Sequence, residues 1–200
     1  MNLREQFGEI DIYLFDQLLK DRFSPGMSIL DAGCGGGRNL VYFLRKGYKV
    51  YGVDLSSEAI AKVKRLASLV CPSLSEENFV VSAVEKMPFP VESFDAVISS
   101  AVLHFARDER HFNRMLDEMW RVLRPGGLFF ARLASSIGIE SLVRPIEGRR
   151  FLLPDGSERF LVDEGMLVSA TKRLGADWIE PLKTTNVQNQ RCMTTWVLRR

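Results

Sequence analysis

Cysteine and histidine are scarce in this chain. Cys34, Cys71 and Cys192 lie far apart in 200 residues, there is no CxxC pair, and only two histidines are present. That excludes a disulfide framework and a Cys/His metal cluster, and leads to the expectation of reduced thiols, no metal and a cytoplasmic location. Charge of one sign is also missing. The 27 basic and 25 acidic residues leave a net charge of +2, without a long run of either sign. Phosphate backbones want a clustered basic surface, so no nucleic-acid partner is expected. No apolar run approaches the ~20 residues that span a bilayer, which excludes a membrane helix. The first residues carry Glu5 and Glu9 and no apolar stretch, unlike a signal peptide. Internal repeats and low-complexity segments are absent.

What is present suits a globular domain. Hydrophobic residues make up 46% of the chain, enough for a sizeable core in one domain spanning residues 1–200. Helical spacing over residues 7–19 (Ile10, Leu14, Leu18) predicts an N-terminal helix, closed by Ser24-Pro-Gly26. Strands are then predicted at 28–30, 48–53, 79–82, 94–99 and 128–133, with helices at 38–45, 56–68 and 107–123 between them. Such alternation implies βαβ units and a doubly wound, mostly parallel α/β sheet with helices on both faces. A further helix is predicted at 164–174, then strands at 178–185 and 192–198 around a polar turn. These make a C-terminal antiparallel hairpin and a seven-stranded sheet. Residues 135–162 stand outside the alternation, with a hairpin expected at Asp155-Gly156.

The stretch Ile29-Leu-Asp-Ala-Gly-Cys-Gly-Gly-Gly-Arg38 carries the chemistry. It follows an apolar strand, and residues without Cβ let backbone approach a ligand at Gly33, Gly35 and Gly36. A dinucleotide fingerprint needs a third glycine where Arg38 stands, which opposes a nicotinamide cofactor. Asp31 instead gives D-x-G-x-G, and a carboxylate there would repel a pyrophosphate and suit an ammonium. Asp54 ends the second strand about twenty residues on, where a carboxylate can accept a ribose diol. A helix-capping role before Ser56 is the other reading of Asp54.

These motifs, in this order, resemble the class I S-adenosylmethionine-dependent methyltransferases. Val50-Tyr-Gly-Val-Asp-Leu-Ser56 resembles their second strand, and Glu85-Lys-Met-Pro-Phe-Pro-Val-Glu-Ser-Phe-Asp95 their segment before strand four. Ala101-Val-Leu-His104 resembles the stretch after strand four, and Leu123-Arg-Pro-Gly-Gly127 the turn before strand five. The similarity covers residues 23–133 and is nearest to small single-domain members, including the tellurite-resistance type. It implies a Rossmann-like fold, the cofactor S-adenosyl-L-methionine and the product S-adenosyl-L-homocysteine. It also implies that the backbone of Ser99 and Ser100 lies near the methionine part, which Asp31, Gly33, Cys34 and Gly35 approach. Arg38 could meet its carboxylate or be solvated. Leu55, Ala83 and Val84 would bracket the adenine. Many members carry Asp where this chain has Ala83, and Glu85 is the candidate substitute.

Methyl transfer from a sulfonium mainly requires alignment, with a base only for a protonated acceptor. His104, just past strand four, is the candidate base; His111 is expected on the surface. Tyr13 could close over the cofactor from the N-terminal cap, residues 1–23. The acceptor would sit under that cap and the 135–162 insertion, where Arg144, Arg149, Arg150 and Arg159 could attract an anion, although nearby acidic residues balance them. The expected partner is a small-molecule methyl acceptor, and the expected assembly a monomer or homodimer. A protein or RNA methyltransferase and a non-catalytic cofactor-binding module are the alternatives.

Overall fold

A computed structural model describes residues 2–200. The first two helices are α1 (Leu3–Phe7) and α2 (Ile12–Leu19). They replace the single helix expected over 7–19. Gly8 takes φ +65°, which ends α1, and the Asp11 side chain accepts the Tyr13 N–H to start α2 afresh. Position 1 of the expected cap lies outside the described residues.

The central layer follows in order: β1 (Ser28–Ala32), α3 (Val41–Arg45), β2 (Lys49–Asp54), α4 (Ser57–Val70), β3 (Phe79–Val81), β4 (Phe94–Ser100), α5 (Glu109–Val122) and β5 (Leu123–Ser135). Next come three short strands, β6 (Arg144–Glu147), β7 (Arg150–Leu152) and β8 (Glu158–Phe160). The chain closes with α6 (Glu164–Leu174), β9 (Asp177–Trp178), β10 (Lys183–Val187) and β11 (Arg191–Arg199). The main sheet runs β10-β11-β5-β4-β1-β2-β3, with β9 also on β11. Strands β1 to β5 pair in parallel; β11 is antiparallel to β5, β9 and β10. The β7–β8 hairpin turns at Asp155-Gly156 as expected, and β6 adds a third strand to it.

Side chains that alternate between the two faces explain the layering. In β1, Ile29 enters one core and Leu30 the other; in β5, Phe130 and Phe129 divide the same way. One core lies under α5 and α6, the other under α2, α3 and α4. Helix α5 buries Phe112, Met115, Leu116, Met119 and Trp120 along one stripe.

Three boundaries differ from expectation. The helix after the glycine loop begins at Val41, because residues 38–40 form a turn behind Gly37 at φ +86°. The Leu123-to-Gly127 turn is paired into β5, with a register shift opposite Phe94 and Ala96. The strand expected over 178–185 breaks into β9 and β10 around Pro181, which has no N–H to offer a ladder.

Strand order reverses between β1 and β4. Their carboxyl ends therefore open a crevice, where ligands of open parallel sheets bind.

Candidate active site

The glycine loop leaves β1 at that crevice. The N–H groups of Gly33 and Cys34 both donate to the Val53 carbonyl, at 2.8 and 2.9 Å, tying the loop to β2. Its glycines serve different ends. A Cβ on Gly33 would lie 2.3 Å from Val102 Cγ2, so Gly33 is required by packing. Gly35, at φ +51°, has nothing within 4 Å of that position and faces open space.

Asp31 occupies the end of β1 with 1% exposure, and neither carboxylate oxygen has a hydrogen-bond partner. Burial raises its pKa to about 7; Arg38 opposes that shift and Asp54 adds to it. Asp54 accepts the Gly35 N–H on Oδ2 and the Ser56 N–H on Oδ1, both at 2.9 Å. The cap of α4 is Ser56, whose hydroxyl accepts the Ala59 N–H, so Asp54 is not the cap; it anchors the glycine loop and the turn before Ser56, and each oxygen keeps a further lone pair for the expected ribose diol. Cys34 is buried, and burial first, then Asp31 and Asp54, push its thiol well above the usual range. A thiol so held is no nucleophile at neutral pH.

Two cavities meet at Gly33. One, of about 380 Å³, is walled by Cys34, Gly35, Arg38 and Ser100. The other, of about 450 Å³, is walled by Asp54, Leu55, Val84, Glu85 and His111. Leu55 is 72% exposed at the rim of the second. Ala83 is not in its wall; the Ala83 carbonyl accepts the Lys86 N–H instead. Ser99 is fully buried with its hydroxyl unpartnered, and the neighbouring Ser100 lines the first cavity.

His111 is not the surface residue expected. It is buried; its Nδ1 accepts the Arg107 N–H and its Nε2 lies 3.0 Å from Glu85 Oε1. Burial works to raise the Glu85 pKa, but its own backbone N–H, His111 and Arg107 outweigh that and hold it below the ordinary value.

An ionic cluster lies behind Arg38 and Ser100 of the first cavity wall. Asp11, 4% exposed, accepts Arg132 Nη1 at 3.0 Å and the Ser100 hydroxyl at 3.3 Å. Arg38 donates to the same hydroxyl at 3.1 Å. Tyr13 sits behind this cluster, not in the cavity wall: its hydroxyl meets Thr185, and the Arg132 guanidinium lies over its ring at 5.1 Å. Sequence reasoning passed over Asp11 and Arg132. Their signals were a helix-starting Asp and one Arg inside an otherwise apolar strand.

His104 opens onto a third cavity, of about 500 Å³, between β5, the β7–β8 hairpin and β11. It is 7% exposed and its Nδ1 accepts the Ala134 N–H at 3.2 Å. Burial, then Arg159, lowers its pKa to about 4. A neutral ring with Nδ1 accepting carries its proton on Nε2, so it presents a donor where a base needs a lone pair. Of the four insertion arginines, only Arg159 reaches this cavity. Arg149 pairs with Asp163, Arg150 with Glu158, and Arg144 lies elsewhere. Among the described residues, no helix is long and apolar enough to cross a membrane, and no cluster of three potential metal ligands occurs.

A sequence profile described as a methyltransferase domain matches residues 30–131. The chain belongs to the methyltransferase-domain family. An uncharacterized methyltransferase of Synechocystis is 33% identical over 106 residues, covering 53% of this chain and 46% of that protein. The chain spans about half the length, or less, of such curated relatives. In structure, an S-adenosylmethionine-dependent methyltransferase of Methanosarcina mazei superposes with a TM-score of 0.74 at 22% identity, over 92% of this chain and 96% of that one. The 1,6-didemethyltoxoflavin-N1-methyltransferase of Burkholderia thailandensis, solved with that compound and S-adenosylhomocysteine, gives 0.72 at 18% identity, over 100% and 81%. These likenesses show the Rossmann-like methyltransferase fold.

The family's cofactor is S-adenosylmethionine. The site fits it on two observations: a buried carboxylate without a partner, and an open backbone arc at Gly35 in the wall of the first cavity, which meets the second at Gly33.

Proposed function

We propose that this chain, as one methyltransferase domain, moves a methyl group to a small-molecule acceptor. The observation that carries the reading is the partnerless, buried Asp31 carboxylate beside an open Gly35, inside the stretch that matches the family. When bound, S-adenosylmethionine supplies a methyl group on a sulfonium leaving group. Asp31 would hold the amino group and Arg38 the carboxylate of its methionine part, beside the backbone of Gly33, Cys34 and Gly35. Asp54 would use its remaining lone pairs on the ribose diol. Leu55 and Val84 would flank the adenine, with Glu85 and His111 at its polar edge in place of a carboxylate at position 83.

The acceptor is read into the third cavity, whose volume suits a small molecule. It adjoins the nucleoside cavity at Ala101, which lines both. The insertion, residues 135–162, supplies Leu153, Ser157 and Arg159 to its wall, while Gly8 and Glu9, between α1 and α2, line the methionine side. His104 would orient the acceptor by donating from Nε2, and an acceptor whose reacting atom carries no proton at neutral pH needs no base. A screen of labelled methyl transfer over thiol, amine, hydroxyl and metalloid compounds, with protein and RNA in parallel, tests the reading. Transfer only to protein or RNA would overturn the small-molecule assignment. Failure to bind S-adenosylhomocysteine by calorimetry would overturn the cofactor site.

A further inference from the structure

The third cavity has a charge pattern that the mechanism above leaves unused. Three arginines line it: Arg132 from β5, Arg159 from β8 and Arg191 from β11. Two are compensated. Arg132 pairs with Asp11 at 3.0 Å, and Arg191 lies 3.5 Å from Asp155, which shares the wall. Arg159 makes no ion pair among the described residues. Its guanidinium stacks over Phe105 at 5.1 Å, and Nη1 donates to the Glu158 carbonyl at 2.7 Å. The fork is thus positioned from the side, with further N–H groups left over.

Beside it stands His104, more than nine-tenths buried, with Nδ1 satisfied by Ala134 and no hydrogen bond to Nε2 among the described residues. Nε2 is also not sealed within protein, so its N–H reaches the cavity. The wall therefore offers N–H groups of Arg159 and His104 and one uncompensated positive charge. A planar monoanion matches that set: two oxygens for a fork and a neighbouring N–H, and one negative charge to balance Arg159.

We propose that the methyl acceptor carries a carboxylate, seated in this cavity by Arg159, Arg191 and the Nε2–H of His104. The proposal rests on the placing of the acceptor in this cavity. The carboxylate acts here as an anchor, leaving the reacting atom to point past Ala101 towards the nucleoside cavity. Ala101 holds φ +63°, a conformation that costs a non-glycine residue energy, and its N–H is fixed by the Arg132 carbonyl at 2.8 Å. The wall between the two cavities is therefore set by the same arginine strand that lines the anion site.

Benzoate and benzamide, equal in shape but not in charge, are the probes. Isotope-labelled protein, with and without S-adenosylhomocysteine, is titrated with each, following the side-chain resonances of His104 and Arg159. Benzoate is expected to shift both and benzamide neither. Arg159→Gln is expected to weaken benzoate about tenfold, the loss of one charge-assisted contact, with S-adenosylhomocysteine affinity unchanged. Arg191→Gln should weaken it less, because Asp155 already holds that cation. Equal binding of the two probes would overturn the proposal. So would benzoate affinity that survives Arg159→Gln, or the absence of any benzoate-specific shift up to its solubility limit. If S-adenosylhomocysteine fails to bind while benzoate still does, the methyltransferase reading falls and the anion site stands.

Discussion

Asp54 and Gly35 are joined by a hydrogen bond of 2.9 Å, from the loop N–H to Oδ2. The other oxygen receives the Ser56 N–H, so one carboxylate holds both the glycine loop and the turn that leads to Ser56, the cap of α4. Asp54→Ala is expected to lower stability by about 1–3 kcal/mol, the cost of unmade bonds. It is also expected to weaken S-adenosylhomocysteine at least about tenfold, because a ribose acceptor goes with it. Asp54→Asn, which keeps one acceptor oxygen, should fall between. Unchanged affinity in calorimetry would mean that the ribose lies elsewhere.

Asp31 gives a pH dependence with a definite sign. Its folded-state pKa, about 7, lies above the ordinary 3.8, so the folded protein holds the extra proton between those values. Without ligand, stability should fall as pH rises from about 4 through about 7, by on the order of 4 kcal/mol at most. Asp31→Asn should flatten that slope and raise Tm at pH 8, while weakening S-adenosylhomocysteine. Binding at pH 6 should release protons as an ammonium takes the place of one on Asp31. Calorimetry in buffers of different ionisation enthalpy measures this, and zero release would count against the pairing.

The glycines separate packing from binding. Gly33→Ala drives a methyl group into Val102 and keeps a positive φ, so thermal unfolding should show a loss of more than ~2 kcal/mol. Gly35→Ala meets nothing, and should cost only the ~1 kcal/mol of its backbone conformation while cofactor affinity drops. A variant of Gly35 that binds S-adenosylhomocysteine normally would remove that arc from the site.

For His104, kcat should show no inflection near pH 6.5, since the ring stays neutral down to about pH 4. His104→Asn, which keeps an acceptor for the Ala134 N–H, should slow turnover with cofactor affinity nearly kept. An inflection near pH 6.5 that this variant abolishes would restore His104 as the base.

The alternating architecture and the loop between β1 and β2 were legible because they rest on local patterns. Continuous apolar runs make the strands, a cap such as Ser56 begins a helix, and Asp31 and Asp54 sit at strand ends. Strand β6 was not legible: all four of its residues are exposed, so no alternation marks it. The α1–α2 break was hidden because apolar spacing continues across Gly8. The ionic cluster was out of reach for another reason. Asp11 and Arg132 are 121 positions apart and meet only once β5 lies beside β4 and α2 packs over their ends. His111 looked like a solvated helix residue until β3's following loop brought Glu85 to it.

The insertion has a consequence for how such a protein can diversify. Ser135 and Val162 pair as neighbouring strand residues, so the chain leaves the main sheet and rejoins it at nearly one point. Closing a loop between ends held that close costs little more when the loop is lengthened, since the entropy grows only with the logarithm of its length. The exposed stretches of this segment, β6 and the turn at 154–156, can therefore change in length and charge, whereas Phe160 and Val162 sit in the main core and must stay. With the acceptor in the third cavity, as proposed, such changes would vary what that cavity admits without touching the cofactor crevice.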